Sequence, residues 1–161
     1  KVALLIGSET DKETVEASRK YFDYFDIELD LRVMSAHRNP NDVSKFASSA
    51  RDNGYHVLIG AAGMAAHLAG ALKAHSTLPV IGIPLGGGIE DGLDALLSTV
   101  QMPKGIPVST VAIGSTGATN AGYLAAQILS LGSEEIAKKL KSSREKNMQS
   151  VLEVNKKLSK K

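Results

Sequence analysis

The stretch VALLIGSETD, residues 2–11, holds five apolar residues, a glycine and a polar run. An apolar run without alternation reads as a strand covered on both faces. Gly7 ends it. From residue 11 to 25 the spacing of Val15, Ser18, Phe22 and Phe25 puts one helical face on a core. A strand that leaves through a glycine into a helix is the first half of a crossover unit, so the fold depends on whether that unit repeats.

The unit occurs five times in all. ELDLRVM (28–34) alternates as a second strand, and NPNDVSKFASSARDNG (39–54) is a helix with cap-type residues at its start and Gly54 as its stop. HVLIG (56–60) precedes a helix of small residues, MAAHLAGALKAH (64–75). LPVIGIP (78–84) precedes GLDALLSTVQM (92–102), which Pro103 stops. VSTVAIG (108–114) precedes GATNAGYLAAQILSLG (117–132). Alternation of this kind predicts parallel strands with helical crossovers on both faces. Five units are too few for a closed eightfold barrel. The expected fold is α/β: an open, doubly wound, five-stranded parallel sheet in a flavodoxin-like three-layer αβα sandwich. A charged helix from Glu134 to about Leu158 lies outside the five units. The chain, 1–161, is expected to be a single domain, with 1–132 as the core and 133–161 as a C-terminal helix packing on a neighbouring subunit.

Composition narrows the function classes. There is no cysteine, so disulfides, thiolate metal sites and a cysteine nucleophile are excluded. The net charge of +2 hides an asymmetry: from residue 134 onward nine Lys/Arg meet four acids, leaving ten bases against thirteen acids in the body. A mildly acidic body with 4% aromatics argues against nucleic-acid binding, and the basic tail reads as a solvated helix face. No apolar run reaches the roughly 20 residues of a membrane span. No signal-peptide pattern is visible, and the expected location is cytoplasmic.

In an open parallel sheet, ligands bind beyond the carboxyl ends of the strands. The loops there are GSETD (7–11), SAHRNP (35–40), GAAGMAAH (60–67), PLGGGIEDG (84–92) and GSTGATN (114–120). In the first, Gly7, Ser8 and Thr10 at a helix start suit a phosphate, and Asp11 suits sugar hydroxyls; an ordinary N-cap is the other open reading. The Gly-Lys-Ser/Thr and dinucleotide glycine patterns are absent. In the second, Arg38 can fork onto a phosphate or carboxylate, and His37 is of the residue type that exchanges protons near neutral pH. A loop histidine without a role is the alternative. His67 sits in a helical pattern, where a packed, hydrogen-bonded histidine competes with a site role. His56 and His75 read as surface or strand-edge residues. No histidine pair has metal-ligand spacing and HExxH is absent, so no metal is expected. No Gly-x-Ser-x-Gly elbow is present. GGGIEDG (86–92) reads as a flexible loop.

Taken together, GSETD, SAHRNPND, GMAAHLAG, LPVIGIP, GLDALLSTVQMPKGIPVSTVAIG and NAGYLAAQIL resemble the N5-carboxyaminoimidazole ribonucleotide mutase family, the class I phosphoribosylaminoimidazole carboxylase catalytic subunit. The resemblance runs in order from residue 2 to 131. It implies an isomerase of de novo purine biosynthesis that moves a carboxylate from the exocyclic nitrogen of an imidazole ribonucleotide to ring carbon C4. No metal, ATP or organic cofactor is implied. It further implies a homo-octamer with sites between subunits, and an ATP-dependent carboxyaminoimidazole ribonucleotide synthase as substrate supplier. By the same resemblance His37 is the catalytic acid–base. Ser8 meets the phosphate and Asp11 the ribose; Ser35 and Arg38 hold the phosphate and ribose region; and Gly63, Ala65 and His67 line the small pocket beside the imidazole and the carboxylate. Three positions depart from the family pattern: Ala61 and Met64 stand where glycines are usual, and Ala69 where proline is. Arg38 favours the mutase over class II carboxylases, which carry lysine there and use aminoimidazole ribonucleotide and carbon dioxide directly. The rival from another class is a non-enzymatic nucleotide- or flavin-binding module on the same fold.

Overall fold

The computed structural model describes residues 1–159. Its frame is one sheet of five parallel strands: β1 (Val2–Ile6), β2 (Leu29–Val33), β3 (Val57–Ala62), β4 (Val80–Pro84) and β5 (Ser109–Thr110), in the order β2-β1-β3-β4-β5. This is the flavodoxin-like order, and it confirms the crossover reading. β1 and β4 are buried along their whole length, as their continuous apolar runs require.

Side chains alternate between two cores. Val2, Leu4, Ile6, Ile59 and Ile83 point to a layer made by α1 (Lys12–Glu16), α2 (Arg19–Tyr24) and α6 (Gly114–Ser130). Ala3, Leu5, Leu58 and Val80 point the other way, to α3 (Pro40–Ser49) and α4 (Leu68–His75). α5 (Leu93–Val100) joins that second face through Thr99, which packs so closely on Gly82 that a Cβ there would overlap its methyl. Burying Phe22, Leu4, Ile59 and their neighbours supplies roughly 1.5–3 kcal/mol for each large side chain.

Three elements differ from the sequence reading. The helix over 11–25 is two short helices. The Ser18 hydroxyl donates to the Val15 carbonyl at 2.6 Å, and the ladder tightens there to i→i−3 bonds. The predicted face survives, since Val15, Ser18, Phe22 and Phe25 are all buried. The helix of 64–75 starts only at Leu68. The fifth strand pairs over two residues, Ile81 with Ser109 and Gly82 with Thr110.

α7 (Glu134–Leu158) runs as read from sequence. Ser133 caps it by accepting the Ile136 N–H, and acids open it while lysines close it, in keeping with the helix dipole. Its first half packs on this chain: Ile136 and Leu140 lie on the core, and Tyr123 and Ser143 share a hydrogen bond of 2.7 Å. Its second half exposes Met148, Val151, Leu152, Val154 and Leu158. Among the described residues no helix is long and apolar enough to cross a membrane.

The free edge of β2 is guarded by charge. Asp30 accepts from Arg32 Nε at 2.8 Å and from the Tyr55 hydroxyl, and the Arg32 guanidinium lies 4.8 Å from the centre of the Phe46 ring. Burial works to raise the Asp30 carboxyl, but these two donors override it and hold the carboxyl below its ordinary range. A group depressed in the folded state contributes stability above its unfolded pKa and loses it as pH falls through the folded one. Asp30→Asn is therefore expected to be less stable than the parent at neutral pH, with the gap closing in acid. Urea unfolding across that range reads it, and a gap that does not change with pH counts against the ion pair.

Candidate functional site

In this strand order the chain reverses direction across the sheet between β1 and β3, and a crevice opens beyond their carboxyl ends. The loops after β1, β2, β3 and β4 meet there around a cleft of about 530 Å³. That size suits a small-molecule ligand.

The β1 loop forms a reciprocal cap. Ser8 is extended, with φ −146° and ψ 154°. Its hydroxyl accepts from the Thr10 N–H (3.4 Å) and Thr10 hydroxyl (2.9 Å), while the Asp11 carboxylate accepts the Ser8 N–H (3.0 Å). The N-cap reading of this loop therefore holds, and the same residues line the cleft. Burial pushes the Asp11 carboxyl above its ordinary range, against the Ser8 N–H and the nearby Arg38, which pull it down.

The loop after β2 is a tight turn. Asn39 Oδ1 accepts the Ser35 N–H at 2.7 Å, the Ser35 carbonyl accepts the Asn39 N–H at 3.0 Å, and the Ser35 hydroxyl accepts the Arg38 N–H at 3.2 Å. This locks the backbone and throws the His37 and Arg38 side chains outward. Arg38 reaches across to donate to the Gly7 carbonyl, tying the two loops together. A guanidinium has five donors, and its others have no protein partner among the described residues, which suits an incoming anion.

The loop after β3 carries Gly63, Met64 and Ala65 into the cleft and delivers His67 at the N-cap of α4. Ser98 of α5 holds this turn. Its hydroxyl accepts the Ala66 N–H at 3.0 Å and donates to the Asp94 carbonyl at 2.7 Å, with the Met64 carbonyl 3.3 Å away. After β4, Gly86 and Gly87 close the rim, and Asp91 accepts the Gly87 N–H at 2.9 Å.

The chemistry centres on two imidazoles. His37 Nε2 lies 2.7 Å from His67 Nδ1, with the rings edge to face and 4.9 Å between centroids. One nitrogen of the contact carries the hydrogen and the other accepts it. Two hydrogens there would point at one another, so the bond sets complementary tautomers on the two rings. Of the reading of His67 as a packed, hydrogen-bonded histidine, the hydrogen bond holds, to His37, but the residue is exposed rather than packed. His56 and His75 are exposed and away from the cleft.

The structure gathers Ser8, Asp11, Ser35, His37, Arg38, Gly63, Ala65 and His67 around the one cleft. Sequence reasoning missed the direct bond between His37 and His67 and the support from Ser98. Nothing local signals a contact across 30 residues. Among the described residues no group of three or more His, Cys, Asp or Glu is placed to hold a metal ion.

Comparison with known proteins places the chain in a family and matches its fold. The AIR carboxylase family pattern matches residues 1–150. The N5-carboxyaminoimidazole ribonucleotide mutase of Bacillus subtilis (strain 168) is 47% identical over 152 residues, covering 94% of each chain. The protein of that name from Escherichia coli (strain K12) is 43% identical over 153 residues, covering 95% of this chain and 90% of its own. A crystal structure of Treponema denticola PurE superposes with a TM-score of 0.88 at 30% identity, covering 98% of this chain and 97% of that one.

Proposed function

The chain belongs to the AIR carboxylase family, and with that as premise we propose that it is an isomerase of purine biosynthesis acting on N5-carboxyaminoimidazole ribonucleotide. It moves the carboxylate from the exocyclic nitrogen to C4, giving 4-carboxy-5-aminoimidazole ribonucleotide. The observation that carries the reading is the His37–His67 pair, 2.7 Å apart, on the wall of a cleft that Arg38 and Ser8 also line.

The residues divide the work. Ser8, Ser35 and Arg38 take the phosphate and the ribose region, and Asp11 takes ribose hydroxyls. The imidazole then lies between the histidine pair and the small residues Gly63 and Ala65. His37 protonates the carbamate nitrogen, the nitrogen–carbon bond breaks, and carbon dioxide is freed inside the cleft. C4 of the electron-rich ring attacks it, and His37, now neutral, removes the C4 proton. One group acts as acid and then base, so no net proton is exchanged with solvent. Positioning of the reactants supplies the remaining acceleration. The reaction as written needs no metal, ATP or organic cofactor.

The wider setting follows from the same reading. The chain is one domain, 1–161, in a cytoplasmic homo-octamer; of the segment from 133, the first half of α7 packs on its own chain, and the second half, from about Met148, packs on a neighbouring subunit. The apolar residues exposed on the second half of α7 support that placement. The carboxyamino substrate comes from an ATP-dependent synthase.

The test supplies N5-carboxyaminoimidazole ribonucleotide in one cell, and aminoimidazole ribonucleotide with modest bicarbonate in another. Rapid formation of the C4-carboxylated product is expected in the first cell alone. Rapid formation in the second alone would assign direct carboxylation instead.

A further inference from the structure

Met64 is at odds with its surroundings in two respects. Its backbone is left-handed, with φ 51°, a conformation that residues bearing a Cβ rarely adopt. Its side chain is apolar, yet 67% of it is exposed. It lines the same cleft as His37 and His67. Strained backbone persists only where neighbours hold it, and it collects at functional sites. Here the holder is Ser98, whose hydroxyl accepts the Ala66 N–H at 3.0 Å and lies 3.3 Å from the Met64 carbonyl. α5 thus holds the turn just after the residue. Glycine would take this backbone without strain. The chain instead places there an unbranched thioether side chain, of the kind that adapts its shape to irregular surfaces.

We propose that Met64 is the apolar cover of the transfer step, closing on the bound imidazole so that freed carbon dioxide stays beside C4. This rests on the carboxyamino ribonucleotide reading above. The balance shows why a cover is needed. The nitrogen–carboxylate bond breaks as the nitrogen takes a proton from His37; the C4–carboxylate bond forms as the C4 proton returns to His37. No electrons are gained or lost. Carbon dioxide is the one species between the two halves that is held by neither bond nor charge. Gly63 and Ala65 are too small to enclose it, and the histidine pair is polar. Met64 is the large apolar side chain exposed at that cleft. Each escape leaves behind aminoimidazole ribonucleotide, so leakage can be counted.

The experiment gives the full chain the carboxyamino ribonucleotide in buffer equilibrated with carbon-13-labelled bicarbonate, with the enzyme-free rate subtracted. Mass spectrometry reads the label in the C4 product, and chromatography reads the aminoimidazole ribonucleotide released. The parent is expected to give mostly unlabelled product with little release. Met64→Gly relieves the strained φ, so its melting temperature is expected to match or exceed the parent's, while label uptake and release rise several-fold. Met64→Leu restores apolar bulk and returns both toward the parent. Unchanged uptake and release in Met64→Gly overturns the proposal. So does a change that Met64→Leu does not reverse and that accompanies a smaller assembly in sedimentation, which assigns Met64 to a subunit contact. A parent chain that fails to convert the carboxyamino substrate removes the underlying reading before any variant is compared.

Discussion

His37→Asn is expected to lower kcat on the carboxyamino ribonucleotide by about 10²–10⁴-fold, with KM nearly unchanged. Asparagine keeps a polar group at the Nδ1 position of the imidazole but has no atom where Nε2 meets the His67 ring. It cannot carry a proton to the carbamate nitrogen or accept one from C4. Both halves of the transfer therefore fail together, and the loss falls on the transition states rather than on binding. The groups proposed to hold the nucleotide lie on other side chains: the Arg38 guanidinium tied to the Gly7 carbonyl, and the hydroxyls of Ser8 and Ser35. The turn itself is fixed by Ser35, Arg38 and Asn39 through bonds in which the His37 side chain has no part. Steady-state kinetics with a direct binding measurement separate the two effects. A variant within a few-fold of the parent in kcat would remove His37 from proton transfer. A variant that loses binding instead would make it a positioning group.

How far residues reveal such a site depends on whether the forces that place them are local. β1 and β4 were legible because strands covered on both faces need unbroken apolar runs, and VALLI and VIGIP are such runs. The location of the site was legible too, since parallel strands put their following loops at one end. VSTVAIG looks equally strand-like, yet β5 pairs only at Ser109 and Thr110. Residues 64–67 are Met, Ala, Ala and His, all compatible with a helix by propensity. They form a turn because the Ser98 hydroxyl, some thirty positions later, takes the Ala66 N–H. Ser18 is a case between these: the hydroxyl that breaks the first helix is visible in the sequence, but so is the apolar periodicity that argues for continuity. The histidine pair was out of reach for the same reason as the turn. His67 reads as one more member of a helical run until α4 begins at Leu68 and leaves it at the N-cap, facing His37.

Gly117→Ala is expected to destabilise the fold by about 3 kcal/mol or more, at the top of the range for overpacking. Local propensity argues the reverse. Gly117 lies inside α6, where alanine is favoured over glycine by about 1 kcal/mol, and the helix around it is otherwise rich in alanine. Close packing decides against it. A Cβ at residue 117 would fall on the Ala112 carbonyl oxygen, within 2.7 Å of the Ala112 carbonyl carbon and 3.3 Å of Ile83 Cγ2. The first two are backbone atoms, so no rotamer change relieves the overlap. Either the segment entering α6 shifts outward or the helix slides along β4. Ala118 and Ala121 are fully buried against that sheet, and a slide would break their packing as well. Because the clash is in the folded state, the urea m-value is expected to stay that of the parent while the midpoint falls. If Gly117→Ala matched or exceeded the parent in stability, helix propensity would outweigh the contact, and the close approach of α6 to the backbone at Ala112 would not be what sets its position on the sheet.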